Sequence, residues 1–340
     1  MSESCLLSVI VPAHGAAHLL PDTLAALKSS TLPATEWELI VADDASSDAT
    51  ADVAARFADR VIRLAPAPRG PGAARNVGAE QARGTWLLFI DADVRVHADT
   101  LAQFVRSTRT HPEAVAIFGA YDDRPEAPGL VSQYRNLLHR YVHLRGAGPA
   151  ATFWAGCGGV RREDFRAVGG FDTTRFARPQ IEDIELGYRL RDRGGEIILD
   201  PAVQGTHLKR WTLASMIRTD IRDRGIPWTR LLLERRGQNA TALNTGGAEQ
   251  VKVAMAGLAL LAFAVAAVAT DQRLALLGLA LLSLLLIGNW RALWWYRDTR
   301  GVGFAFAVVP LMLNHYLCCA IAAGFGVLGH LRSATTGGLR

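Results

Sequence analysis

Charge is what the C-terminal part of this chain lacks. Charged residues make up 20% of the whole sequence, yet almost none fall between Val253 and Leu331. Three uncharged runs stand there, Val253 to Thr270, Leu274 to Trp290 and Gly301 to Leu331. As helices, the first two would each be roughly 26 Å long and just span a hydrocarbon core of about 30 Å, and the third is comfortably long enough. A buried soluble hairpin is disfavoured for the first pair, because the leucine-rich run from Leu274 offers no polar face to water. The expectation is a transmembrane region over 251–332 with about three spans, 253–270, 274–290 and 303–329. Pro310, Asn314 and His315 leave open that the third segment re-enters rather than crosses.

Other absences narrow the class further. No apolar run before residue 250 is long enough for a signal peptide, since Leu6 to Val11 is far too short, so the preceding residues are expected on the cytoplasmic side. Basic residues agree: Arg235, Arg236 and Lys252 flank the first span, Arg291, Arg297 and Arg300 lie between the second and third, and the hairpin loop holds only Arg273. Arg332 and Arg340 fit this orientation less well. Cysteine is scarce, with Cys5, Cys157, Cys318 and Cys319 at no metal-ligand spacing and in no framework of pairs, which reads as reduced, mostly buried thiols. No G-x-x-x-x-G-K-[ST] loop exists, which excludes a P-loop nucleotidase. The segment Gly70 to Gly78 imitates a dinucleotide loop, but Arg75 stands where the sixth position needs glycine, and the segment does not follow the first strand.

What is present in the first 200 residues is alternation. Strand-like runs at Leu7–Val11, Glu38–Ala42, Val61–Leu64, Trp86–Ile90 and Val115–Phe118 alternate with helix-like stretches at 19–29, 49–58, 73–82 and 100–108. This predicts an α/β fold, a mostly parallel sheet with flanking helices, in which ligands sit beyond the carboxyl ends of the strands. Asp43 and Asp44 follow the second strand, and Asp91 and Asp93 follow the fourth, so four carboxylates converge on one rim. Asp91 and Asp93, spaced i, i+2, lean to the same side of the chain. Two such acids suit a hydrated divalent cation that takes its other oxygens from a diphosphate, although a lone Asp-x-Asp can equally be a helix-capping turn. The helix N-terminus beside Arg75 is a candidate anion contact. Ile181 to Leu190 opens a helix with Glu182, Asp183 and Glu185, and Ile184, Leu186 and Leu190 can anchor it so that Asp183 stands on its leading turn, as a general base requires.

Between Lys209 and Arg236 stand eight basic and three acidic residues, a surplus equal to the +5 of the entire chain. Leu213, Met216, Ile217 and Ile221 recur there at helical spacing. The segment 209–250 is expected to be a basic amphipathic helix in the headgroup layer, with anionic membrane lipids as partners at about 1 kcal/mol per basic residue. A solvated basic face is the alternative. The adjoining apolar spans argue against nucleic acid.

In order, Ser8-Val9-Ile10-Val11-Pro12, Asp43 to Asp48, Gly72 to Gly78 with Arg75-Asn76, Asp91-Ala92-Asp93, Val168 to Asp172, and Glu182-Asp183 with Arg189 resemble the family 2 glycosyltransferases of GT-A fold, over roughly residues 6 to 225. The resemblance implies a nucleotide-diphosphate sugar donor, inverting transfer, and a catalytic domain over 1–208. It implies that Pro12, Asp43 and Asp44 contact base and ribose, that Asp91 and Asp93 serve ribose and a Mg²⁺ or Mn²⁺ ion, and that Asp183, beside Glu182, is the base. His207 is similar to a histidine that some members place near the metal. Processive synthases of the family carry Gln-x-x-Arg-Trp, whereas here Gln204 is separated from Arg210-Trp211 by five residues, which favours transfer of a single sugar. The Glu182-Asp183 pair favours a hydroxyl acceptor, a lipid or lipid-linked glycan. A polyprenyl-phosphate sugar synthase, a non-catalytic membrane scaffold and a nucleotidyltransferase are the other readings.

Overall fold

The computed structural model describes residues 5–236 and 245–337, with side chains through Arg332. Residues 237–244 of the expected interface segment lie outside the described residues. The chain divides into two compact units, residues 1–127 with 136–210, and residues 128–135 with 211–340.

The first unit is built on a nine-stranded sheet: β1 (Leu7–Ala13), β2 (Trp37–Asp43), β3 (Arg60–Arg63), β4 (Trp86–Ile90), β5 (Val94–Val96), β6 (Ala114–Tyr121), β7 (Gly148–Pro149), β8 (Cys157–Arg161) and β9 (Glu196–His207). Strand order is β3-β2-β1-β4-β8-β6-β9-β5, with β7 beside β9. The helices are α1 (Leu20–Lys28), α2 (Thr50–Ala54), α3 (Pro71–Glu80), α4 (Thr100–Thr110), α5 (Leu130–Arg145), α6 (Arg162–Ala167) and α7 (Glu182–Asp192), and the first six residues of α5 are grouped with the second unit. All residues of β1, β2 and β4 are buried, which is why these strands read as unbroken apolar runs rather than alternating ones.

The parallel half matches the sequence expectation, with β1 pairing in parallel to both β2 and β4, and β2 to β3. The other half is mixed, because β8 runs antiparallel between β4 and β6, and β9 pairs parallel to β6 but antiparallel to β5. Strand β8, Cys-Gly-Gly-Val-Arg, carries little β signal because its glycines make room for neighbours. A Cβ on Gly158 would stand 2.3 Å from the Trp154 carbonyl oxygen, and one on Gly159 would stand 2.3 Å from the Phe104 ring. Helix α3 approaches β1 as closely, since a Cβ on Gly78 would meet Ile10 at 2.6 Å.

The far end of β6 is held by Asp122. Its carboxylate accepts from the Thr206 hydroxyl, from His97 Nε2 at 2.9 Å and from the Arg124 amide at 2.9 Å, which ties β6 to β9 and to the end of β5. Burial works against this charge, but the three donors outweigh it and hold the carboxyl below its ordinary value.

The second unit is helical. It contains α8 (Leu213–Arg218), a π-helical turn over Thr219–Gly225, α9 (Ile226–Glu234), α10 (Gly247–Ala269), α11 (Gln272–Gly288), α12 (Trp290–Arg300), α13 (Val302–Ala307) and α14 (Val309–Gly337). Helices α10 and α11 form an antiparallel hairpin, with Gly278 against Phe263 and Gly288 against Lys252. The chain turns at Thr270, in the left-handed region at φ 53°, and Asp271 caps α11 through the Arg273 amide at 2.8 Å.

Among the described residues two helices, Gly247–Ala269 and Val302–Arg332, are long and apolar enough to cross a membrane, and α11 with α12 makes a third only if counted as one span bent by 57°. The bend falls at Asn289, inside a polar knot. Lys252 donates to Glu249 at 2.7 Å and to Asn289 at 3.0 Å, and the Tyr316 hydroxyl lies 2.7 Å from Glu249 and 2.8 Å from Asn289.

In the basic segment Met216 is buried and Leu213 is exposed. The π-helical turn buries Asp220 against Arg135 at 2.7 Å and His315 at 2.8 Å, and Arg135 and His315 hold this carboxyl low against the effect of burial.

Two predictions follow from the first unit. A Cβ on Gly119, at the irregular β6–β9 pairing, would come 1.9 Å from the Val203 carbonyl oxygen. Gly119→Ala is expected to destabilise by about 3 kcal/mol, seen as a lowered urea midpoint, because backbone cannot yield as a side-chain tip can. The depressed Asp122 carboxyl contributes stability above its unfolded value of about 3.9 that is lost as pH falls through its folded value. Urea melts between pH 3 and 7 should therefore show a shallower acid decline for Asp122→Asn than for the parent, and parallel declines would refute the assignment.

Candidate active site

The ends of β2 and β4 and the first turn of α7 carry the acids picked out from the sequence. Asp43 is fully buried, accepts from the Ser46 amide at 3.2 Å and lies 3.3 Å from Arg63 Nε. Asp44 accepts the Arg69 amide at 2.8 Å and the Gly70 amide at 2.7 Å, so its carboxylate shapes the loop that leads into α3. Gly70 sits at φ 90°, where a Cβ would stand 2.7 Å from the Ala177 carbonyl oxygen, and Pro71 then starts the helix with its ring in a position that needs no N–H. Pro12 is buried at the end of β1, in register with Ala42.

Helix α3 brings two consecutive side chains to bear. Asn76 is a two-way clamp: its Nδ2 donates to the Phe171 carbonyl at 2.8 Å and its Oδ1 accepts the Phe171 amide at 2.9 Å. The clamped backbone passes through Gly169 and Gly170 at φ 79° and 70°, conformations that favour glycine. Arg75 lies over the Phe171 ring with its guanidinium carbon 5.4 Å from the centroid. The guanidinium, 5% exposed, donates to Asp91 at 2.6 Å through one terminal nitrogen and to Glu182 at 3.1 Å through the other. In this arrangement Arg75 clamps two acids rather than standing open to an anion.

Glu182 is buried, and its second oxygen accepts the Gln180 amide at 2.9 Å. Asp183 beside it is half-buried. One of its oxygens accepts the Ala155 amide at 3.1 Å, the other accepts the Ile184 amide at 2.8 Å, and its charge acts on the Arg75 guanidinium. One cation thus gathers Asp91 from the sheet and the Glu182-Asp183 pair from α7.

Asp93 is engaged by the end of β9. Its Oδ2 lies 3.4 Å from His207 Nε2, and its carbonyl accepts the Leu208 amide at 2.8 Å, so the end of β9 is stitched to the Asp-x-Asp turn. Desolvation disfavours both carboxylates. At Asp93 the His207 ring and the Lys209 ammonium outweigh it and hold the carboxyl low, whereas at Asp91 desolvation, with the Asp93 charge nearby, pushes the carboxyl up despite Arg75.

Among the described residues no three acids, histidines or cysteines form a ready cage for a metal ion. A two-donor Asp93–His207 edge with Asp91 nearby fits a hard cation that draws its remaining ligands from phosphate oxygens and water.

Two contributors were not singled out in the sequence. Tyr121, at the end of β6, stacks on His207 with centroids 4.3 Å apart and planes 7° from parallel, and Asn136 Oδ1 lies 2.7 Å from His207 Nδ1. The signal for Asn136 was available in α5, where Asn136, His139 and His143 fall at i, i+3 and i+7 and so share one face.

Residues 8–169 match the family described as glycosyl transferase family 2. Validoxylamine A glucosyltransferase of Streptomyces hygroscopicus subsp. jinggangensis is 30% identical over 224 residues, 56% of this chain and 52% of that protein. Poly(ribitol-phosphate) beta-N-acetylglucosaminyltransferase TarS of Staphylococcus aureus is 35% identical over 98 residues, 28% of this chain and 17% of that protein. The chain thus spans about half, or less, of the length of these relatives. A mannosyltransferase from Pyrobaculum calidifontis, solved in complex with GDP-Man and Mn²⁺, superposes with a TM-score of 0.60 at 18% identity, covering 96% of this chain and 86% of that one. Residues 8–169 thus match a family 2 glycosyltransferase domain, and the fold is GT-A-like.

The Arg75 clamp yields a direct prediction. Arg75→Met keeps the bulk but leaves Asp91 and Glu182 without their cation, and should cost about 3–5 kcal/mol in a urea melt of the full chain in detergent. A loss under 1 kcal/mol would mean that the two acids do not depend on it.

Proposed function

We propose that this protein is a membrane-bound inverting glycosyltransferase that moves one sugar from a nucleotide-diphosphate donor to a hydroxyl acceptor, a lipid or lipid-linked glycan. The observation that carries this reading is the Arg75 clamp, which sets Asp91 and the Glu182-Asp183 pair around one cation within a family 2 domain. The fold likeness to a protein holding GDP-Man and Mn²⁺, and the relative named for poly(ribitol-phosphate), support the donor class and a glycan acceptor.

In this reading Pro12, Asp43 and Asp44 line the base and ribose end of the donor site, with Asp43 and Asp44 fixing its loops. Asp91 faces the donor while Arg75 restrains it. Asp93 and His207 would hold Mg²⁺ or Mn²⁺, whose bound charge offsets the negative charge that grows on the leaving diphosphate. Asp183 takes the proton from the acceptor hydroxyl. The oxygen lone pair then forms the new bond to the anomeric carbon as the bond to the diphosphate breaks, and that electron pair leaves with the phosphate. Glu182, bound to Arg75 and the Gln180 amide, keeps α7 in place so that Asp183 projects from rigid support.

The proposed arrangement in the cell follows the charge pattern. The catalytic domain, 1–208, faces the cytoplasm, the basic segment 209–250 meets anionic lipid, and region 251–332 enters the bilayer. The exposed apolar side chains of α10 and α11, such as Leu261, Val268, Leu276 and Ile287, support burial in lipid.

The test is sugar transfer by the full chain in detergent or nanodiscs over a panel of UDP-, GDP- and dTDP-sugars. Turnover should vanish with EDTA and return with Mn²⁺ or Mg²⁺. Asp93→Ala and Asp183→Asn should each lower it by about 10²–10⁴-fold. Parent-like rates in both variants would dispose of the proposal. Turnover onto a polyprenyl phosphate that survives Asp183→Asn would instead point to a synthase whose acceptor is already anionic, and donor binding without turnover would point to a scaffold.

A further inference from the structure

His207 has three constraints on its ring, and together they assign its tautomer. Tyr121 stacks flat against one face at 4.3 Å, which fixes the ring plane. Asn136 Oδ1 lies 2.7 Å from Nδ1, while Asn136 Nδ2 faces the Lys209 carbonyl at 3.5 Å. A carbonyl can only accept, so the amide nitrogen of Asn136 must point at Lys209 and its oxygen at the ring. An amide oxygen also only accepts, so Nδ1 carries the hydrogen. With Nδ1 occupied by its hydrogen, Nε2 is the ring nitrogen that faces Asp93 Oδ2, 3.4 Å away, and the one that can give its lone pair to a metal ion shared with that carboxylate.

We propose that Asn136 is a positioning residue that holds His207 in the Nδ1–H tautomer and so makes Nε2 a nitrogen ligand to the divalent ion beside Asp93. The inference rests on the metal-dependent reading given above, and goes beyond it by naming the residue that decides how His207 binds. Asn136 is 2% exposed and lies on α5, far from the Asp-x-Asp turn in sequence. It touches neither donor nor metal in this scheme. Its effect passes through the imidazole, as with the carboxylates and carbonyls that orient metal-bound histidines elsewhere.

The experiment is Mn²⁺ titration of the full chain in detergent with UDP, and in a separate series GDP, followed by electron paramagnetic resonance. Electron spin-echo modulation then reports whether an imidazole nitrogen is bound to the ion. The parent should show the nitrogen signature, and His207→Ala should lack it. Asn136→Leu, which removes the acceptor at similar volume, should weaken Mn²⁺ binding about 10–100-fold and lose or scatter the nitrogen signal. Asn136→Asp retains an acceptor and should keep both, which separates loss of the hydrogen bond from loss of fold. Asn136→Leu with parent-like affinity and an intact nitrogen signal would overturn the inference. Mn²⁺ bound through Asp93 with no nitrogen coupling in the parent would also overturn it while leaving the proposed function standing. Absence of any Asp93-dependent Mn²⁺ binding would remove both.

Discussion

The guanidinium of Arg75 is the interaction on which the site depends. Three carboxylates within its field would repel one another and the loops that carry them if the cation were absent. With it, Asp91 at the end of β4 and Glu182 at the start of α7 become two ends of one ion-paired unit, although they are 91 residues apart in sequence. The low exposure of Arg75 matters for the energy, because a buried cation with two good partners is held far more firmly than a surface pair. Its own place is set by α3, whose small residues let the helix press on β1, and by Asn76, which pins the Phe171 backbone under the guanidinium.

This arrangement divides labour between neighbouring residues. Glu182 is turned inward to Arg75 and Asp183 is left at the helix start with a backbone anchor from Ala155. Asp91 is tied to Arg75, and Asp93 leans to His207. Each acidic pair therefore has one member held by Arg75 and one held by other partners, Asp183 by the Ala155 and Ile184 amides and Asp93 by His207.

Much of the parallel half was legible because buried parallel strands announce themselves as apolar runs that end in turns: β1, β2 and β4 fall where the runs at Leu7, Glu38 and Trp86 indicate. The antiparallel half was not. Strand β8 hides behind Gly158 and Gly159, β9 is interrupted by Asp200 and Pro201, and the two-residue β7 has no pattern to read. At the site, the order of the acids was visible, whereas their partners were not. Nothing local to Asp44 indicates that both its oxygens are taken by the Arg69 and Gly70 amides, and nothing near His207 indicates Tyr121 or Asn136. Such partners come from distant elements, and only the sheet order decides which of them meet. In the helical unit the long runs were plain, but the bend at Asn289 depends on Glu249, Lys252 and Tyr316 arriving from two other helices.

The central claim is that Asp91 and Glu182 act as one unit through Arg75, and a double-mutant cycle measures that directly. Stability of Asp91→Asn, Glu182→Gln and the double variant would be compared with the parent by urea melts of the full chain. A shared cation predicts a coupling energy of about 1–3 kcal/mol that disappears when the cycle is repeated on an Arg75→Met background. Effects that add to within about 0.3–0.5 kcal/mol on the parent background would contradict the account.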